Sequence, residues 1–92
     1  MLTGVWTKSV LALEIQNYEQ KVAKTTMSIQ ELSGKLEEYM RELEEKKATK
    51  NAENEVEIEM LEGDILYCKS EIREQRNHLQ MLSQKLNKLI KL

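Results

Sequence analysis

The chain has 92 residues, a third of them charged, with a net charge of −2, no proline or phenylalanine, one tryptophan and three glycines. So few aromatics and turn residues exclude an ordinary globular domain, which needs a three-dimensional core and punctuated loops. The near-neutral balance gives no basic field for nucleic acid, and no apolar run approaches the roughly 20 residues of a membrane span.

At the start, Met1 to Val10 holds one lysine and no long apolar stretch, unlike a secretory signal. Trp6, Val10 and Leu13 follow an i, i+4, i+7 pattern on a face of their own. They are the candidate partner contact outside the main seam. Thr3 or Thr7 is the expected helix N-cap.

From Ile15 the apolar residues recur in alternating steps of three and four. Ile15, Val22, Ile29, Leu36 and Leu43 take heptad position a; Tyr18, Thr25, Leu32 and Tyr39 take d. A 3.5-residue period keeps such a series on one seam of an underwound helix, the signature of a coiled coil. A second series takes Ile58, Ile65, Ile72, Leu79 and Leu86 at a, with Leu61, Cys68, Gln75, Leu82 and Leu89 at d. The chain therefore reads as one segment, 1–92, with heptad blocks at 11–43 and 58–89 around a charged discontinuity at 44–57.

The blocks do not share a frame. Leu43 and Ile58, both at a, lie 15 residues apart, one more than two heptads. Two arrangements accommodate this. In one, the helix continues and absorbs the extra residue by local unwinding, with Ala48, Ala52, Val56 and Met60 carrying the contact across. In the other, the segment turns and the chain closes as an antiparallel hairpin, pairing Leu43 with Leu61, Leu36 with Cys68, Leu32 with Ile72 and Ile15 with Leu89. The segment lacks Gly, Pro, Asp and Ser and is rich in Lys, Glu and Ala, which are good helix formers. A parallel dimer also juxtaposes Asp64 with Lys69, Glu71 with Arg76 and Glu42 with Lys47. The favoured fold is an all-α parallel homodimer about 135 Å long. The antiparallel hairpin, or a heteromeric helical bundle, is the alternative.

Several residues carry two readings. Cys68 is a small buried hydrophobe or, in a parallel dimer, a thiol facing its symmetric mate. With one cysteine no intrachain disulfide is possible, which fits a reducing, intracellular compartment. Thr25 and Gln75 weaken the seam or specify its register. Tyr18 and Tyr39 are wide for a two-stranded seam. Gly34 and Gly63 fall at the outermost position f, as tolerated glycines or points of close lateral approach. His78 sits on a flank. Lys85, Lys88 and Lys91 complement a helix C-terminus; membrane binding is not expected of them.

No phosphate loop, ligand set or nucleophile constellation occurs, and no basic region precedes either heptad block. Enzymatic activity, cofactors and metals are therefore not expected. The pattern resembles rod segments of large coiled-coil proteins: cytoskeletal filaments, motor tails, tethers, and centrosomal, kinetochore and synaptonemal scaffolds. It implies a non-enzymatic scaffolding segment of a larger intracellular assembly, oligomerising with itself and with other coiled-coil proteins, and expected to be a fragment. The alternative is an adaptor, a hairpin or hetero-bundle that recognises protein partners.

Overall fold

The computed structural model describes the backbone of residues 2–49 and 51–92, and the side chains from Ser9 onward apart from Lys50. Two helices account for nearly all of it: α1, Leu2–Ala48, and α2, Ala52–Ile90. They pack against each other along their length in a hairpin 75 × 15 × 14 Å.

The chain thus takes the hairpin, the second arrangement left open by the sequence. The single continuous helix that the composition of 44–57 favours is not formed. The break lies at two asparagines. Asn51 leaves the helical region for extended backbone, with φ −144° and ψ 177°, and becomes the N-cap of α2. Its Oδ1 accepts a hydrogen bond from the Asn54 N–H at 2.9 Å, and its carbonyl accepts from the Glu55 N–H at 3.2 Å. The first bond satisfies one of the N–H groups orphaned at a helix start, and the second is the first intrahelical bond of α2. Asn54 then reaches back, donating from Nδ2 to the Thr49 carbonyl at 2.8 Å. One side chain so ties the end of α1 to the start of α2.

Charges reinforce the turn. Lys46 and Lys47 occupy the last turn of α1, and Glu53 and Glu55 the first turn of α2, where each sign complements the helix dipole. Lys46 pairs with Glu57 across the hairpin, and Lys47 lies 3.8 Å from Glu62. At the other end of the chain α1 already begins at Leu2. Thr3 and Thr7, the expected caps, therefore lie inside it.

The one-residue offset between the heptad blocks now has a plain cause. Each block belongs to its own helix, so the frames have no need to join. In α2 the buried residues are Ile58, Leu61, Ile65, Cys68, Ile72 and Leu82, all at a or d. With only two helices the seam stays open on both sides, and the facing residues of α1 are mostly half-buried. The register matches the expected hairpin to within about a turn. Cys68 meets Leu32 instead of Leu36, Leu36 shares a groove with Ile72, and Glu14 and Tyr18 flank Leu89.

The helices differ in length, 47 residues against 39. At 1.5 Å per residue, α1 outruns α2 by about 12 Å. The overhang is the N-terminal end of α1.

Candidate interaction faces

The inner face is the seam itself. In α1, Ile15, Tyr18, Val22, Ile29, Leu32, Leu36, Tyr39 and Leu43 all point towards α2 and are half-buried. In α2, Leu79, Leu86 and Leu89 are half-buried beside the six buried positions. The residues expected to join two chains therefore pair within one. This follows from the turn: once α1 ends at Ala48, the second apolar block is tethered beside the first.

Polar seam positions are accommodated without buried orphans. Thr25 is buried and Gln75 half-buried, and among the described residues no buried side-chain nitrogen or oxygen lacks a partner. The neighbouring Thr26 hydroxyl donates to the Val22 carbonyl at 2.8 Å. Cys68 is 4 % exposed, and its thiol donates to the Leu32 carbonyl across the seam at 3.2 Å. In the hairpin it faces α1, so it meets a second Cys68 only if the helices part. Lys21 lies over the Tyr18 ring, 5.2 Å from its centre, holding the ring partly out of water at the seam edge.

Where the seam gapes, a groove of about 410 Å³ forms over Leu36 and Ile72, edged by Ser33, Lys69, Arg73 and Arg76. Its floor is apolar and its rim cationic. Near the termini a second opening, of about 270 Å³, lies between Tyr18 and Lys85, Lys88 and Leu89. Gathering of metal ligands is not seen: among the described residues no group of three or more His, Cys, Asp or Glu side chains comes together. His78 is exposed on its flank.

Of the contact patch expected near the start, Val10 and Leu13 are exposed. They stand at heptad positions c and f of α1, on the face turned away from the seam. The Trp6 side chain falls outside the described residues.

The outer face of α2 carries a feature that heptad reading passed over. Val56, Met60, Leu66 and Tyr67 are 62 %, 65 %, 68 % and 69 % exposed. Val56, Met60 and Tyr67, with Gly63 between them, follow i, i+4, i+7, i+11 and line up opposite the seam. A Cβ added at Gly63 meets nothing within 4 Å, so the row is open at its centre. The signal was present in the sequence as a second period, at heptad positions c and f. Attention to positions a and d alone hides it. In a continuous helix the Val56–Met60 step carries the contact between the two blocks; in the hairpin both residues are exposed.

Two groups are electrostatically perturbed. The Lys46 ammonium is held above its ordinary pKa, chiefly by its hydrogen bond to Glu57 and then by the charges of Glu57 and Glu42. The Tyr67 phenol is pushed up by the charge of Glu71, its hydrogen bond to that carboxylate, and the more distant Glu74.

None of the described helices is long and apolar enough to cross a membrane. No protein-family model matches the chain, and no curated protein or solved structure shows significant similarity to it.

Proposed function

We propose that the chain is a non-enzymatic association module, a helical hairpin that docks into a larger intracellular scaffold through its outer surface. The observation that carries this reading is the exposed row Val56, Met60 and Tyr67 on α2. Isolated surface apolar residues are ordinary, but an ordered row on one helix face is the pattern by which a helix recognises another helix. The seam, by contrast, is consumed in closing the hairpin. This favours the adaptor over the long parallel rod, since a rod needs that seam free for a second chain. Assemblies of the cytoskeletal, centrosomal, kinetochore or chromosome-scaffold type are the settings in which such modules serve.

A photoreactive amino acid at position 60, with position 38 on the outer face of α1 as control, tests the reading in cells that make the protein. Discrete adducts from position 60, to this chain or to another helical protein, are expected, with none from position 38. Absence of any adduct from position 60 overturns it.

A further inference from the structure

The hairpin leaves unusually much of itself in water. It exposes 7538 Å², whereas a compact monomer of its 10.8 kDa mass exposes about 5,500 Å². No described large side chain is fully buried. The excess of about 2,000 Å² exceeds the roughly 800 Å² that each partner contributes to a stable interface.

Two patterns say what covers it. The first is the charge content of the outer faces. Along α2 the outer positions from 56 to 84 are Val56, Met60, Gly63, Tyr67, Ser70, Glu74, Asn77, Met81 and Gln84, with one charge among nine. The equivalent nine positions of α1, from Leu13 to Arg41, include four charges: Lys24, Glu31, Glu38 and Arg41. In a chain that is one-third charged, a solvated face carries charge as α1 does. The outer face of α2 has been kept clear of it.

The second pattern is the division of charge along the hairpin. The half next to the turn, residues 28–71, holds thirteen acids against six bases, a net −7. The half at the termini, residues 1–27 and 72–92, holds eight bases against three acids, a net +5. The near-neutral total conceals a strongly polar rod. Rods of this kind repel when side by side in the same direction and attract when reversed.

We infer that the outer face of α2 pairs with the same face of a second copy, antiparallel, with a twofold axis passing near Ser70. This rests on the association reading above and names its partner. The arrangement is isologous, as closed dimers require. It places the acidic turn half of each hairpin along the basic terminal half of the other. The outer row is itself symmetric about that axis. Met60 comes opposite the partner's Met81, and Tyr67 opposite the partner's Glu74. Gly63, with no side chain of its own, lets the two helices approach closely on either side of the axis. The result is a four-helix layer in which each seam stays within its own chain.

Sedimentation of the full chain at low micromolar to submillimolar concentration tests the pairing, at about 20 mM and about 500 mM salt. A reversible dimer that weakens at high salt is expected. Met60→Lys puts a cation into the row against the partner's Met81 and its basic terminal half and should raise the dissociation constant at least about tenfold, with helicity unchanged. In a Cys68→Ala background, Ser70→Cys should oxidise to a disulfide-linked dimer, while Met27→Cys on α1 should not. If Cys68→Ala compromises the fold, Met60→Lys in the otherwise natural chain still decides. A monomer at every concentration overturns the pairing, as does a dimer untouched by Met60→Lys or one that readily forms a Cys68–Cys68 disulfide. A monomer that still gives a position-60 photoadduct with a different protein sinks the self-pairing alone. No adduct with anything sinks both.

Discussion

Ile65 and Leu66 are adjacent in sequence, both large and aliphatic, and 7 % and 68 % exposed. Replacing each by alanine separates what the seam contributes from what the outer face contributes. Ile65→Ala removes three carbons from the seam, worth about 0.8 kcal/mol each when buried. A two-helix seam open on both sides retains little cavity, so the cost falls near the low end of the core range. Alanine's better helix propensity returns a few tenths of a kcal/mol. The net loss is about 2 kcal/mol. Leu66→Ala removes atoms already in water and should change stability by less than about 0.5 kcal/mol. A domain of this size shifts its midpoint by about 4–8 °C per kcal/mol, so Ile65→Ala should lower Tm by about 8–16 °C and Leu66→Ala by little. Thermal melts followed by circular dichroism, at low micromolar protein and high salt to suppress association, measure both. Equal losses, or a larger loss for Leu66→Ala, would refute the helix orientation. They would mean that α2 is rotated by about one residue relative to α1.

Other consequences are simpler. Asn51→Ala should cost about 1 kcal/mol through loss of the N-cap, read as a lower urea midpoint with unchanged slope; no change would place the start of α2 elsewhere. Gly34 lies within α1 without positive φ, and a Cβ there meets nothing within 4 Å. Gly34→Ala should therefore raise stability by about 0.5–1 kcal/mol in the same assay. The raised pKa of Lys46 stabilises the fold below 10.5, and that contribution is lost as pH rises through the folded value. Tyr67 acts in the same direction: it ionises in the unfolded chain near 10.0, whereas in the hairpin Glu71 and Glu74 hold it protonated to higher pH. Melts from about pH 9 to about pH 12 should show falling Tm, less steeply in Lys46→Met. A flat profile would contradict both assignments.

Periodicity alone determined that this chain is helical, which residues of each helix face a neighbour, and where the two apolar blocks begin and end. Those features are local, set by side-chain spacing on a rigid 3.6-residue helix, and survive either arrangement. The direction of pairing was decided by tertiary structure. Lys, Glu and Ala between Leu43 and Ile58 favour continuation one residue at a time, yet continuation leaves both seams in water until another chain arrives. Closing the hairpin costs the few helical hydrogen bonds that would join Ala48 to Ala52 in a continuous helix. It joins two apolar blocks that the turn holds together at high effective concentration, and Asn51 and Asn54 supply the capping bonds that lower the cost. Composition counts asparagine as one polar residue among many, whereas at the N-cap its side chain closes the turn, so the overall character of the segment does not reveal the break. The outer row of α2 was legible as a second period. Only the packing of the inner seam against α1 leaves Val56, Met60 and Tyr67 facing outward, because a helix with its apolar seam satisfied on one side has only the opposite side to offer.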